Sequence, residues 1–221
     1  MKSGCAYGVV WDLDGTLLDS LSSVLNALKY ALDPYAREPI DLGIFAHLGG
    51  PPDRFFGKFV QDPSMVEPAL KRFHEYSASH GWNIAPFPGA SETLHKMKDM
   101  GIRLAVWTGR DRESAFEAFA SYGWEGLFDA VVCGDDLVTH KPSPEGMDAI
   151  VSTLAVPREN LLFVGDSDVD AKAGHACGVR TLLIRGGRKL DPSIEALVWQ
   201  HSNDASGAYL RALEWCRTVG Y

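Results

Sequence analysis

The chain is poor in cysteine and in positive charge, and it has no long apolar run. Its 221 residues include four cysteines, Cys5, Cys133, Cys177 and Cys216. They lie far apart and form no CxxC pair, which argues against a zinc framework and a disulfide scaffold. Lysine and arginine number 21 against 29 aspartates and glutamates, a formal net charge of −8. That balance argues against nucleic acid or an anionic membrane as the main partner. A phosphate ligand would have to be met by positive charge concentrated at one place. No stretch reaches the apolar length of a membrane span. The first residues carry one Lys and a short apolar run that flows into acidic residues, the wrong form for a signal peptide. There is no internal repeat and no low-complexity tract. The expectation is a protein of the reduced cytoplasm with no nucleic-acid or membrane partner, as a monomer or homodimer.

What is present is a hydrophobic content of 46%, enough for a sizeable core. The length exceeds one typical domain and allows a core with a smaller insertion. The most informative segment is Asp12-Leu13-Asp14-Gly15-Thr16-Leu17, directly after the apolar run Tyr7-Gly8-Val9-Val10-Trp11. Strand alternation sends residues i and i+2 to the same side. Both acids therefore start out together at the carboxyl end of a buried strand, where open α/β sheets place their ligands. Two carboxylates that close repel by about 1 kcal/mol in bulk water and about 4 at an effective dielectric near 20. A cation or a shared proton must relieve that repulsion. The plain alternative is a solvated turn, since Asp-Gly is a common turn pair.

After residue 86, strand-like runs alternate with helical stretches. Strands are expected at 102–107, 130–133, 161–164 and 179–184, with helices at 91–100, 113–122, 144–154, 168–177 and 204–217. This rhythm predicts right-handed βαβ units and a doubly wound, Rossmann-like parallel sheet covered on both faces. Residues 19–85 break it. They contain no convincing strand and are too long for an ordinary crossover. Helical spacing at 21–32, 53–60 and 64–80, punctuated by Gly49-Gly50-Pro51-Pro52 and closed by Pro86-Phe87-Pro88-Gly89, predicts an inserted α-helical subdomain. The expected division is a core of 1–18 and 86–221 and an insertion of 19–85.

Three further polar clusters follow apolar strands. Thr108-Gly109-Arg110 offers a hydroxyl and a backbone N–H at a strand-to-helix turn, a small anion cradle or simply a helix N-cap. His140-Lys141-Pro142 carries a Lys whose backbone the following Pro restricts; alone it reads as a surface charge. Gly165-Asp166-Ser167-Asp168-Val169-Asp170 brings three more acids, which alone could cap a helix and feed its dipole. Each cluster has an ordinary structural reading. Four of them at the carboxyl ends of strands in one sheet do not.

In these motifs the chain resembles the haloacid dehalogenase superfamily of phosphohydrolases, over about residues 6 to 187. The family's four motifs stand in order as Asp12-Leu13-Asp14-Gly15-Thr16, Thr108-Gly109, Lys141-Pro142, and Gly165-Asp166-Ser167 with Asp170. The continuation Ala171-Lys172-Ala173-Gly174 with Gly178-Val179 resembles the phosphoglycolate-phosphatase-like branch, whose helical cap sits where residues 19–85 lie. The resemblance implies a doubly wound core, a mobile cap, Mg²⁺, a small phosphorylated metabolite as substrate and an aspartyl-phosphate mechanism. It makes Asp12 the nucleophile. It places the metal on Asp12, Asp166, the backbone carbonyl of Asp14 and, from further out, Asp170. Lys141, Thr108 and Gly109 would meet the transferring group. Asp14 would be the general acid–base, which asks for a carboxyl pKa raised by neighbouring acids or burial.

Asp14 also separates branches, because dehalogenases and phosphonate hydrolases resembling this chain carry another residue there. A sugar phosphomutase keeps both acids and stays open as an alternative, as does a phosphometabolite-binding protein without turnover, although the chain retains Asp12, Asp14, Lys141 and Asp166. Substrate contacts are expected from Arg110 and, in the insertion, from His47, Arg54, Lys58 or Trp82. Arg54 is favoured because Arg grips carboxylate or phosphate bidentately. Trp11 and Trp107 are expected to pack in the core, as is the tail after Gly187.

Overall fold

Among the described residues, six short strands form one parallel sheet: β1 (Gly8–Trp11), β2 (Arg103–Trp107), β3 (Ala130–Val132), β4 (Leu161–Gly165), β5 (Arg180–Ile184) and β6 (Gln200–Ser202). Their order is β3-β2-β1-β4-β5-β6. The computed structural model describes residues 7–40, 56–80 and 84–219. Helices are α1 (Leu21–Leu32), α2 (Val66–His80), α3 (Ala90–Asp99), α4 (Arg112–Ser121), α5 (Glu145–Leu154), α6 (Asp168–Ala176), α7 (Pro192–Glu195) and α8 (Ala205–Val219). The expected doubly wound fold is the one observed.

Alternation along the strands divides the core between two faces. Val9, Trp11, Leu104, Val106, Leu162 and Val164 point to one side, where α3, α4 and α8 supply Leu94, Met97, Phe119, Tyr209 and Leu213. Val10, Ala105, Trp107, Leu161 and Phe163 point to the other, against Met147, Ile150 and Leu154 of α5 and Ala173 of α6. A sheet buried on both faces needs continuous apolar strands, and β1 and β4 are buried at every residue.

From β1 the chain winds outward through β2 and β3, then crosses back to β4 and winds out through β5 and β6, so the topological switch falls between β1 and β4. Register makes the carboxyl ends there nearly level: Trp11 pairs with Val106 on one side and Val164 on the other. The Asp12 N–H continues the ladder to the Val164 carbonyl at 2.8 Å, and the Thr108 N–H does so to Val132 at 3.0 Å. The loops that carry the polar motifs therefore leave the sheet side by side.

Within residues 19–85 the described elements are helical. Leu28 and Leu32 of α1 pack on Ala69 and Phe73 of α2 and on Phe56 and Val60, a cluster separate from the two sheet faces. Phe56 meets Phe73 edge-on at 5.7 Å, and the Arg72 side chain donates to the Tyr30 carbonyl while lying 4.3 Å over its ring.

Two expectations about elements need correction. The helix expected over 53–60 is a single 3₁₀ turn, Phe56–Lys58, in its described part; residues 53–55 lie outside the described residues. Strand β6 was not expected, because Gln200-His201-Ser202 has no apolar pattern. It pairs at the sheet edge with Leu182, Leu183 and Ile184, so its conformation is set by its neighbour. The tail packs on the core at Trp215 of α8, which is buried and meets Tyr7 edge-on at 6.1 Å, whereas Trp199, expected to pack with it, is exposed.

Helix α6 approaches β5 closely at Gly174, where a methyl group would overlap the Thr181 hydroxyl and lie 3.1 Å from its Cβ. Gly174→Ala should therefore destabilise the fold by about 1–3 kcal/mol through overpacking, seen in urea unfolding as a lower midpoint at unchanged slope. Adding Thr181→Ala should recover part of the loss, a coupling that independent sites would not show.

Candidate active site

Lys141 is the centre of the site. Its Nζ donates to Asp12 Oδ1 at 2.6 Å, to Asp170 Oδ1 at 2.6 Å and to the Trp107 carbonyl at 3.1 Å. The side chains of Lys141, Asp12 and Asp170 are all more than nine-tenths buried. The Lys141 ammonium faces two aromatic rings that pack on each other at 5.5 Å: Nζ lies 5.7 Å from the Trp107 ring and 5.6 Å from that of Phe163. Trp107 thus packs in the core, as expected, and also forms the apolar wall of the buried cation. Trp11 is fully buried and edges onto Tyr209 at 5.7 Å.

The fourth motif is held by its own helix terminus. Ser167 caps α6 and Asp170 returns the bond, its Oδ2 accepting from the Ser167 N–H at 3.0 Å and Oγ at 2.6 Å. The capping reading holds, and it leaves the second Asp170 oxygen for Lys141.

Asp12, Asp166 and Asp170 come together so that one oxygen of each lies within 4.8 Å of the others. Gly15, at a positive φ of 79°, allows this approach; a side chain there would lie 2.7 Å from the Asp166 carboxyl carbon. Asp166 has a neutral partner, the Thr16 hydroxyl at 3.3 Å. Burial, then repulsion by Asp12 and Asp170, pushes the Asp166 carboxyl well above the ordinary range. For Asp12, burial and the Asp170 charge outweigh Lys141 and push the carboxyl up to about 7. Burial would lower the Lys141 pKa, but the flanking Asp12 and Asp170 charges raise it instead, so this Lys stays charged. Three crowded carboxylates with one ammonium between them are short of positive charge. Their hard oxygen donors suit a divalent cation such as Mg²⁺.

Asp14 is arranged differently from expectation. Its carboxylate turns to Arg110, whose Nε donates to Oδ2 at 3.0 Å and whose Nη2 donates to Oδ1. Burial would raise the Asp14 pKa, but the paired guanidinium outweighs it and holds the carboxyl below its ordinary range. The expected upward shift is not present in this arrangement, because the neighbouring charge is a cation.

Thr108 is buried, and its hydroxyl accepts from the Arg110 N–H at 3.1 Å. The loop after Gly109 is braced by Gly134, whose N–H donates to the Arg110 carbonyl at 2.7 Å. Of the insertion candidates, Lys58 is exposed, while His47, Arg54 and Trp82 lie outside the described residues. Two supporting residues were not foreseen. Arg188 donates to Asp168 Oδ1 at 2.6 Å and to the Asp166 carbonyl at 3.0 Å, clasping the fourth motif. The Tyr209 hydroxyl donates to the Thr16 carbonyl at 2.6 Å across 193 residues. The position of Arg188, just after the β5 strand and Gly186-Gly187, was the one available hint; for Tyr209 the sequence holds none.

A family model described as haloacid dehalogenase-like hydrolase matches residues 9–184. The chain belongs to the haloacid dehalogenase-like hydrolases. A phosphoglycolate phosphatase of Cereibacter sphaeroides is 31% identical over 201 residues, covering 84% of this chain and 88% of that protein. Pyrophosphatase PpaX of Halalkalibacterium halodurans is 28% identical over 177 residues, covering 80% and 82%. Among solved structures, a haloacid dehalogenase-like family hydrolase from Streptococcus pneumoniae matches with a TM-score of 0.77 at 19% identity, covering 95% of this chain and 98% of that one; it shows the fold. The phosphoric monoester hydrolase expected from the sequence agrees with the relatives' names, and no described helix is long and apolar enough to cross a membrane.

The crowded carboxylates make a stability prediction for the metal-free protein. Asp12 rises from 3.8 to about 7 on folding, so the native state binds more protons than the unfolded chain between those values, and stability falls as pH rises through that window. Mg²⁺ at about 100 times its dissociation constant should restore about 2.7 kcal/mol. Asp166→Asn should raise the metal-free melting temperature and remove most of the Mg²⁺-induced rise. An unchanged Mg²⁺ response in that variant would exclude Asp166 as a ligand.

Proposed function

We propose that the protein is a Mg²⁺-dependent phosphatase that hydrolyses a small phosphorylated metabolite through an aspartyl-phosphate on Asp12. The observation that carries this reading is the Lys141 junction. One buried ammonium touches the candidate nucleophile Asp12 and the helix-capping Asp170, at the level of two more motif loops. A phosphate dianion approaching Asp12 is repelled, and the site must supply positive charge to receive it. Lys141 supplies one such charge. Asp12, Asp166 and the Asp14 carbonyl would hold Mg²⁺, with Asp170 behind them, and the bound ion would neutralise charge on the phosphoryl group.

An Asp12 carboxylate oxygen attacks phosphorus and the bond to the leaving oxygen breaks, so the phosphoryl group passes to Asp12. The Thr108 hydroxyl and the Gly109 N–H donate to its equatorial oxygens. Once its carboxylate is freed from Arg110 and protonated, Asp14 gives that proton to the departing alkoxide, then takes one from the water that attacks the aspartyl-phosphate, releasing phosphate and restoring the Asp12 carboxylate and the Asp14 carboxylic acid. Residues 19–85 form the cap that covers the leaving group, and Arg110 and Arg54 contact the substrate. The work is that of a cytoplasmic enzyme on a soluble metabolite.

Phosphate release with Mg²⁺, abolished by EDTA, is the first expected result. Asp12→Asn should lower it by about three or more orders of magnitude while leaving the fold intact; substantial residual activity would overturn the nucleophile assignment. Asp14→Asn should slow alkyl phosphates by about 10²- to 10⁴-fold and aryl phosphates less, because an aryloxide leaves with less help. Equal losses on both would remove the acid–base role.

A further inference from the structure

Arg110 has two neighbourhoods. On one side its guanidinium grips the Asp14 carboxylate bidentately. On the other it lines a cleft of about 350 Å³ between the insertion and the core, with Ser77 of α2 and Ser114, Glu117 and Tyr122 on and beside α4. That volume suits a small-molecule site. The Tyr122 hydroxyl closes one end by donating to the Ile84 carbonyl. Among the described residues, Lys141 and Arg110 are the cations in contact with Asp12 and Asp14, and Lys141 is already shared by two carboxylates. A phosphoryl group at Asp12 leaves the rest of its substrate to extend past Asp14 toward this cleft. Arg110 is the cationic residue among the described residues lining this cleft, with the exposed Glu117 carboxylate elsewhere on it.

The planar fork of Arg110 already shows which ligand it fits, because it holds a carboxylate with two parallel bonds. We propose that Arg110 is an exchange residue: it holds Asp14 until a second anionic group on the substrate, a carboxylate or a second phosphate carried by the leaving group, takes its place. The exchange releases Asp14 beside the leaving oxygen only when such a substrate is bound. Substrates with a neutral leaving group leave Asp14 clasped and are turned over slowly. Selection therefore acts at the release of the acid–base residue as well as through contact. This inference rests on the phosphatase reading and names the substrate class within it.

The test is kcat/KM for three probes, 2-phosphoglycolate, pyrophosphate and the neutral 2-hydroxyethyl phosphate, with the full-length wild type, Arg110→Gln and Arg110→Lys, each shown to be folded by circular dichroism. The wild type should prefer at least one anionic probe over the neutral one by about 30-fold or more. Which anionic probe it prefers distinguishes a carboxylate from a second phosphate. Arg110→Gln should reduce that preference to about threefold or less, and Arg110→Lys, keeping the charge but not the fork, should fall between. A preference unchanged in Arg110→Gln, with all probes slowed in parallel, would overturn the inference, as would a wild type without preference. Both outcomes leave Asp12-dependent hydrolysis in place; its absence with every probe would overturn the phosphatase reading itself.

Discussion

The buried ammonium of Lys141 is the interaction on which the site depends. Burying a charge without partners is costly, and so is crowding three carboxylates away from water. Each problem is the other's partial remedy: Asp12 and Asp170 keep Lys141 charged, and Lys141 lets them approach. The remedy is incomplete. Among the described residues, Lys141 is the cation paired within the Asp12, Asp166 and Asp170 group, and Asp12 and Asp166 both carry carboxyl groups driven upward by burial and mutual repulsion. The excess of buried negative charge is what a divalent cation would relieve, because an uncompensated buried charge is one the fold must carry.

The sheet makes the arrangement possible. Four motif loops leave the carboxyl ends of β1, β2, β3 and β4, adjacent strands near the reversal of winding direction. The loops are then fixed by backbone and capping bonds that have nothing to do with chemistry in themselves: the Asp12 N–H to Val164, the Thr108 N–H to Val132, the Ser167–Asp170 capping box and the Arg188 clasp. Asp170 shows how close the structural and functional readings lie. One oxygen caps a helix and the other accepts from Lys141, so the capping role does not exclude a second one.

Asp14 is where the structure departs from what the expected role asks for. A general acid–base calls for a carboxyl raised by neighbouring acids or burial. The structure turns the Asp14 side chain away to Arg110, and a bidentate guanidinium outweighs burial. The partner sits 96 residues along the chain, at the start of the loop before α4. Arg110 was foreseen as a substrate contact, but nothing in the local pattern announces that it would be bonded to Asp14.

The sequence by itself determined the parallel sheet, the two apolar faces, the helical character of residues 19–85 in their described part, and the motif residues at strand ends. These are legible because they follow from local periodicity: period two places alternate residues of β1 and β4 on opposite faces, and helical spacing marks α1 and α2. Tertiary structure alone decided that Gln200-His201-Ser202 is a strand, that Arg188 and Tyr209 brace the motif loops, and that Asp14 pairs with Arg110. In each case a polar group found its partner across a long stretch of chain. Hydrogen-bond and charge complementarity leave no repeating pattern along the backbone, so only folding reveals which partner is met.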